Sequence, residues 1–314
     1  LGFLGNISRI DPELERDLIW GEFKNWGSEA RFLTRYEVKD KMAVALLGAR
    51  YYQGYTRSRQ GDANDGSGPD FAYLNPTNLE GSDYEFPSQN IALFAQNVFF
   101  LSEHFSITPG ARYEYIKTAS DGIYKVQSSD LAGNIIYDEN IPDQQERDRQ
   151  FLLAGLGMSW KSEKGTEIYA NYAQNYRAIN FNDIRIVNPN FVIDPNIHDE
   201  SGFTADLGYR GKIKKFLTFD ATAFYLQYKD RIGEYYTSVE DEFGINRVVR
   251  YRSNIADARN IGIESFAELE LIKLAGFDSS DAHLSVFGNF ALINAEYVSS
   301  DEPAFDGKKV ELVP

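Results

Sequence analysis

Ten long segments of the chain alternate apolar and polar residues, and this alternation constrains the fold more than any other feature. A period of two is typical of β-strands whose two faces meet different surroundings. In residues 105–117, for example, Ile107 and Ala111 share one face while Arg112 and Glu114 share the other. No segment of similar length has a 3.6-residue period, so the sequence predicts an all-β chain. The predicted strands are residues 28–39, 42–55, 90–101, 105–117, 151–161, 166–176, 203–210, 216–229, 258–271 and 283–297.

The connections between these segments are short and long in turn, and only the gap 272–282 is intermediate. Loops longer than about 12–15 residues are uncommon in compact domains. Long loops that alternate with tight turns imply an up-and-down sheet in which every long loop leaves from the same end. Short turns at one end and long loops at the other are typical of a transmembrane β-barrel. The predicted long loops are residues 56–89, 118–150, 177–202 and 230–257.

Strand length favours the same fold. A tilted strand needs about 9–11 residues to cross the hydrocarbon core, whereas soluble strands average about 5–6. Lipid does not tolerate open sheet edges, so such strands must close into a barrel with an even strand count, of which these ten are expected to form part. Aromatic residues near strand ends are typical of interfacial girdles. Such positions are Tyr51, Tyr52, Tyr55, Phe99, Phe100, Phe105, Trp160, Tyr172 and Tyr176.

Alternation also predicts which side chains face lipid and which face the lumen of this transmembrane antiparallel up-and-down β-barrel. The polar face must be the lumen, because a charge at the middle of the lipid face costs about 2–4 kcal/mol. A one-residue slip in register would exchange the two faces. The sequence therefore predicts Ala43, Leu47, Ala49, Ile107, Ala111 and Tyr113 towards lipid, and Arg50, Arg112 and Glu114 inwards.

Composition excludes several classes of protein. The chain has 32 Lys and Arg against 47 Asp and Glu, a net charge of −15 that repels phosphate backbones and excludes nucleic acid as a partner. It has no Cys, so disulfide scaffolds, thiol catalysis and thiolate metal sites are excluded. Three widely separated His residues argue against a His-based metal centre. No apolar run approaches the ~18–20 residues of a membrane helix.

The sequence predicts no enzyme, no cofactor and no metal site. No Ser, His and Asp fall in a recognised nucleophile motif such as G-x-S-x-G. Asp62, Asn64, Asp65 and Asp70 suggest a calcium loop, but Gly66 stands where that loop requires its fifth-position ligand. A flexible acidic surface loop is the preferred interpretation.

Several stretches resemble TonB-dependent outer-membrane receptors. Residues 91–100 and 105–116 resemble a hairpin of that family in which a strand similar to LFAEN turns into TPGLRYE. Residues 168–177 are similar to its LYANYSxGFR strand. Residues 194–200 resemble its NPNLKPE loop, with His198 and Asp199 in place of Lys and Pro. Further resemblances, in the family's order, are residues 254–264 to NxGxARxxGxE and residues 307–314 to GNxVPxxP.

The resemblance implies an outer-membrane receptor that binds a ferric siderophore or ferric citrate and imports it with energy from a TonB-type coupling protein. Family members carry an N-terminal plug ahead of a large 22-stranded barrel. We expect residues 1–314 to be part of one such barrel domain, with about ten strands and without the plug or the closing strands. Residues 2–71 most resemble ferric-citrate receptors. Receptors for glycans, haem or cobalamin, a passive porin and a soluble extracellular β binding module remain alternatives.

An anionic ferric chelate would require cations, and guanidinium groups bind carboxylates in bidentate fashion. Arg57 and Arg59 follow the second predicted strand at its outer end, and Arg177 stands at the outer end of the sixth. These arginines could instead pair with acids on neighbouring strands or on the plug. Residues 58–88 hold one Arg against six acidic residues, which would slow an anion's approach. The candidate ligand-binding residues are Arg50, Arg57, Arg59, Arg112 and Arg177.

Overall fold

The computed structural model describes residues 2–8, 16–64, 71–130, 132–184, 191–240, 246–277, 282–300 and 304–310. These residues form twelve strands and two single-turn helices in one sheet-dominated domain. The strands are β1 Gly2–Ser8, β2 Arg16–Val38, β3 Lys41–Ala63, β4 Ser82–Phe100, β5 Phe105–Ser129, β6 Ile135–Lys161, β7 Thr166–Arg177, β8 Phe191–Ile193, β9 Glu200–Ile213, β10 Leu217–Glu240, β11 Asn246–Glu270 and β12 Ser285–Ser299. The helices are α1 Phe181–Ile184 and α2 Leu271–Leu274.

The sheet is an antiparallel meander in the order β1-β2-β3-β4-β5-β6-β7-β9-β10-β11-β12, and β8 pairs in parallel with β11. All ten predicted strands are present, and β1 and β8 are additional. Because successive neighbours are antiparallel, the connections after β3, β5, β7 and β10 all leave from the same end. The predicted up-and-down topology is therefore confirmed. No helix in the described ranges is long and apolar enough to cross a membrane.

The hairpins at the long-loop end are much longer than the sequence predicts, and their loops are correspondingly shorter. β5 continues to Ser129 and β6 begins at Ile135, so most of the predicted loop 118–150 is paired strand. Asp130 closes that turn by accepting the N–H groups of Ala132 at 2.9 Å and Asn134 at 2.8 Å. These outer parts carry polar side chains on both faces, so backbone pairing continues where the apolar alternation ends.

Registers across the sheet confirm the predicted division of side chains between two faces. Directly opposed residues share a face, and the pairs run from Ala49 to Leu93, Tyr113 and Leu152 in successive strands. Leu93 and Leu152 are 54% and 66% exposed. We call this side the apolar face. It also carries Ala43, Leu47, Ile107, Ala111, Leu156, Met158, Ala170, Leu207, Ala223, Ile263 and Leu292, and the opposite side carries Arg50, Arg112 and Glu114.

The connection between β7 and β9 folds over the polar side of the sheet, which we therefore call the inner face. Its described parts, residues 178–184 and 191–199, are named the inward segment. Ile179, Ile184 and Ile197 form a buried cluster within it, against which Ile193 and Ile232 pack. β8 joins the segment to β11 through the pairs of residues 191–193 with residues 250–252. Part of the hydrophobic core thus lies on the inner face instead of between sheets.

Candidate functional site

The inner face carries its densest set of charged contacts where the inward segment meets β6. Arg149 of β6 lies with its Nε 2.7 Å from Asp199 Oδ2. Its Nη2 donates to the Ile179 carbonyl at 2.8 Å, and its Nη1 donates to Thr118 Oγ1 at 3.3 Å. The Arg149 side chain is only 10% exposed and that of Asp199 14%. A nearly buried ion pair therefore fastens the segment to the wall.

Asp199 is the acceptor on which this part of the segment converges. It accepts the Ile179 N–H at 2.7 Å and the Tyr176 hydroxyl. β6 and β7 are paired only as far as Gly155–Ala173, and beyond that point the rings of Phe151 and Tyr176 stack 3.6 Å apart. The Tyr176 hydroxyl thereby joins β7 to the same carboxylate that holds Arg149.

Arg177, at the end of β7, makes a second and similar contact. Its Nη1 lies 2.7 Å from Glu200 Oε1, and its Nη2 lies 2.9 Å from Asp183 Oδ1 in α1. Glu200 also accepts the Ile232 N–H at 3.0 Å. Arg149, Arg177, Asp183, Asp199 and Glu200 form what we call the arginine node. Two guanidinium groups here meet three carboxylates.

Arg147 adds a third cation on the same side, two residues before Arg149. It is paired with Thr118 across the β5–β6 hairpin and donates from Nη1 to the Ile197 carbonyl at 2.5 Å. Neither Arg147 nor Arg149 belongs to the predicted site, because both fall in a predicted loop. The signal was present, since Arg147, Arg149 and Phe151 alternate with Glu146, Asp148 and Gln150.

A cavity of about 320 Å³ lies beside the arginine node, between the inward segment and β2 to β5. Its wall combines aromatic rings with hydroxyl and amide groups, and no charged side chain lines it. Thr118 and Ile179 belong both to this wall and to the contacts of Arg149. We call it the inner-face cavity. Its aromatic and polar lining includes Phe23, Asn25, Tyr52, Thr56, Phe86 and Ser88.

A second group of charges holds residues 191–194, the part of the inward segment that lies against β11. Arg250 and Arg252 of β11 both pair with Glu234 of β10. Their guanidinium carbons lie 5.8 and 4.9 Å from the ring centroid of Phe191, the first residue of β8. Asp194 then accepts the Ser253 hydroxyl at 2.5 Å. The inward segment is thus held at two places, at the arginine node and against β11.

Of the five predicted arginines, Arg50, Arg112 and Arg177 lie on the inner face. Arg112 donates to Glu114 on its own strand and lies 5.3 Å from the Phe94 ring centroid. Arg50 is exposed and makes no ion pair with a described side chain. Only Arg177 reaches the inward segment.

Arg57 and Arg59 do not join the other three. β3 runs without a register shift to Ala63, so alternation places both arginines on the same side as Leu47. Arg57 donates to both carboxylate oxygens of Asp83, at 2.9 and 2.8 Å, and this hydrogen bonding raises its pKa. Arg59 lies 5.5 Å from the Tyr73 ring centroid. The sequence interpretation ended this strand at residue 55 and so applied no alternation to these positions.

The acidic loop that resembles a calcium site is only partly described, since Asp65 and Asp70 lie outside the described residues. Asp62 donates its backbone N–H to Glu80 Oε2 at 2.9 Å. Within the described ranges, no group of three or more His, Asp or Glu side chains is placed to hold a metal ion.

Comparison with known proteins identifies the fold. The family model described as TonB dependent receptor-like, beta-barrel matches residues 6–314. The chain belongs to this family of TonB-dependent receptors. Its members are transport receptors of the outer membrane, and the predicted family and fold class are confirmed. No curated protein is significantly similar to the chain in sequence.

Solved structures of several transporters and uptake receptors share the fold at low identity. The unliganded ferric citrate transporter FecA superposes with a TM-score of 0.69 at 16% identity, over 99% of this chain and 40% of that one. The ferric yersiniabactin uptake receptor FyuA from Yersinia pestis gives 0.64 at 17% identity, over 99% and 40%. The ferric-catecholate import receptor Fiu from K12 E. coli gives 0.64 at 12%, over 94% and 40%. The chain therefore spans about two fifths of the receptors it matches.

Proposed function

We propose that this chain is part of an outer-membrane receptor that binds and imports an anionic ferric chelate. The observation that carries the proposal is the convergence of Arg147, Arg149 and Arg177 on the inner face at the long-loop end, in a chain of net charge −15. All three guanidinium groups contact carboxylates or carbonyls of the inward segment or of Glu200, so this part of the inner face is built to bind carboxylate groups such as those of an anionic chelate. The named ligands of FecA, FyuA and Fiu are all ferric complexes, which supports the same class.

In this proposal the apolar face meets lipid and the inner face lines the lumen. Leu93, Leu152, Leu207 and Leu292 are each more than half exposed and lie on four different strands of one face. An exposed apolar band of this extent is stable next to hydrocarbon and unfavourable in water. Ligand would enter from the end that carries the long hairpins.

Transport would need no covalent chemistry from these residues. The arginines would bind carboxylates or other oxygen anions of the chelate, and an energy-coupling protein would act through a plug domain elsewhere in the receptor. A hydrogen-bonded charge pair that is desolvated on binding costs about 2–5 kcal/mol when one partner is truncated. Arg149 and Arg177 are therefore the residues whose loss should most reduce ligand affinity.

Uptake of radiolabelled ferric citrate by cells that carry the complete receptor tests this function. R149A and R177A should reduce binding at least tenfold, whereas K161A and K164A, in or beside the short turn after β6, should leave it unchanged. Arg57→Ala and Arg59→Ala serve as further controls because these residues lie on the other face. Wild-type binding and uptake in R149A and R177A would reject these arginines as the binding site. Failure of the complete receptor to take up any ferric chelate would reject the function and leave a glycan, haem or cobalamin as the substrate.

One observation favours a chelate that carries an aromatic arm besides its carboxylates over citrate, which has no aromatic arm. The inner-face cavity is lined by Phe23, Tyr52 and Phe86 with no charged group, and aromatic rings stack on one another at about 0.5–1.5 kcal/mol per pair. A competition series between ferric citrate and a ferric phenolate chelate distinguishes the two. F86A should weaken only the phenolate chelate if the cavity takes an aromatic arm.

A further inference from the structure

The arginine node has the composition of an occupied anion-binding site. Arg149 and Arg177 are each held by carboxylates that come from the inward segment or from the residue that follows it. Asp199 and Asp183 belong to the segment, and Glu200 opens β9. The partners of the two guanidinium groups are close together in sequence. Arg149 binds Asp199 and the Ile179 carbonyl, and Arg177 binds Glu200, the residue after Asp199.

This occupation is imperfect in geometry. The Arg149 Nε is buried and is 2.7 Å from Asp199 Oδ2, yet its N–H is not directed along a hydrogen bond to that oxygen or to another acceptor in the described part of the chain. A donor that is left without a hydrogen bond on an Arg side chain nine-tenths buried is unfavourable, because the group has lost its water without a full replacement. A ligand oxygen that aligned with Nε would satisfy it. Arg149 therefore has a donor, its Nε–H, that the protein's own carboxylate does not use.

The inward segment itself is held by few apolar contacts. Its buried cluster consists of Ile179, Ile184 and Ile197, with Ile193 and Ile232 packed against it. The segment is also held through the pairing of β8 with β11 and through the Phe191 ring, which contacts Arg250 and Arg252. At the arginine node its attachments are hydrogen bonds and ion pairs, which a competing anion can replace. The segment is therefore able to leave the node at modest cost once its carboxylates are exchanged.

We propose that the inward segment acts as a resident pseudo-ligand, with Asp183, Asp199 and Glu200 occupying a carboxylate site built from Arg149 and Arg177. A polycarboxylate ferric chelate then binds by exchanging its carboxylates for those of the segment, so that binding and release of the segment are one event. This inference rests on the proposed function, since the exchange takes place at the same inner-face site. A neutral chelate has no carboxylate to exchange and leaves the segment in place.

The exchange can be observed directly because the chain has no Cys. Asn196 is exposed in the inward segment, and only its backbone groups take part in hydrogen bonds with described residues. Asn196→Cys therefore offers a single labelling position once any Cys elsewhere in the receptor is replaced by Ser. A fluorophore there, in the complete purified receptor, should gain mobility when ferric citrate is added. The same label should not respond to a neutral ferric hydroxamate.

Substitutions in the arginine node test whether the segment's carboxylates compete with ferric citrate or support its binding. Asp199→Asn removes the competing charge and should tighten ferric citrate binding at least fivefold while it mobilises the label. Arg149→Gln should mobilise the label and weaken binding at least tenfold. Glu167→Gln is the matched control, because Glu167 pairs with Arg210 at 3.0 Å on the same two strands, β7 and β9, but at the end opposite to the segment. Retention of the compact, heat-modifiable form on electrophoresis verifies that each variant is folded.

The outcomes separate this inference from the proposed function. Weaker binding in Asp199→Asn, to the extent seen in Arg149→Gln, would overturn the inference, because Asp199 would then support the ligand instead of competing with it. A label that no carboxylate mobilises, in cells that still import the chelate, would also overturn it and leave the function standing. A label mobilised by iron-free citrate, in a receptor that imports no ferric chelate, would support the exchange and reject the function.

Discussion

Arg149 and Asp199 lie 2.7 Å apart on the inner face and join the middle of β6 to the end of the segment that crosses it. Asp199 also accepts the Ile179 N–H and the Tyr176 hydroxyl, so one carboxylate unites β6, β7 and the segment. The pair is local in space but distant in sequence. Arg149 and Asp199 come together only in the folded protein, so the pair holds the inward segment only when the surrounding strands are in place.

Removing one partner of this pair should release the inward segment. Asp199→Ala would leave the nearly buried Arg149 without its carboxylate, and loss of one partner of a buried pair costs about 3–5 kcal/mol. Amide hydrogen exchange at Ile179, whose N–H donates to Asp199 at 2.7 Å, should therefore rise by at least a hundredfold. The double variant Arg149→Met with Asp199→Leu should exchange more slowly than Asp199→Ala, because no charge is left unpaired. Unchanged protection in Asp199→Ala would contradict this account.

The division between the two faces predicts an asymmetric response to new charges on β4. Leu93→Arg places a cation in the apolar face, at a cost of about 2–4 kcal/mol near the bilayer midplane. Gln96→Arg places the same charge three residues away, on the inner face, where Gln96 is exposed. The folded, heat-modifiable fraction in outer membranes should fall for Leu93→Arg and remain near wild type for Gln96→Arg. Equal yields would mean that the apolar face does not meet lipid.

Much of this architecture can be predicted from sequence, and the errors have a common cause. The alternation of Leu47 and Ala49 with Arg50 fixes the faces. Only one face of the sheet meets an apolar medium, so every second residue of the strand is apolar. The same signal ends near residue 55, where both faces become polar, although the β3 backbone stays paired to Ala63. Arg57 was therefore assigned no face.

The arginine node could be predicted only in part for a different reason. Arg177 is evident as a cation at a strand end, but its partner Asp183 and the contact of Arg149 with Asp199 depend on how a long connection folds back. Sequence periodicity carries no information about such a tertiary contact. The alternation from Gln145 to Phe151 would have extended β6 and placed Arg149 on the inner face, without revealing what it binds.

A glycine on the inner face should be intolerant of any side chain. The Tyr169 ring lies over Gly208, and a Cβ at that position would overlap it. Tyr169 donates to Asp220 at 3.0 Å, and Arg210 lies 4.8 Å from its ring centroid, so displacing the ring disturbs both contacts. Overpacking of this kind costs about 1–3 kcal/mol.

Gly208→Ala should accordingly lower the urea midpoint of the folded receptor. Gly288→Ala is the matched control, since a Cβ there meets no atom within 4 Å. Removing the ring in Tyr169→Ala should abolish most of the cost of Gly208→Ala, as expected for two positions in contact. Equal effects of the two glycine substitutions would reject the steric explanation.

The loop after β3 should loosen at high pH because of one tyrosine. Burial raises the pKa of Tyr73 to about 12, and its hydroxyl donates to the Arg59 carbonyl at 3.0 Å. The pKa of a tyrosine in an unfolded chain is about 10. The folded form therefore holds this proton more tightly, and its contribution to stability is complete below about pH 10 and is lost as the pH rises through about 12.

Trp20 packs on Phe71 of the same loop with ring centroids 5.6 Å apart, so its fluorescence reports the change. With Trp26, Trp160 and any tryptophan of the receptor outside this chain replaced by Phe, the wild-type loop should show an emission transition near pH 12. Tyr73→Phe should remove that transition while the general quenching near pH 10 remains. A transition that persists unchanged in Tyr73→Phe would assign it to another group.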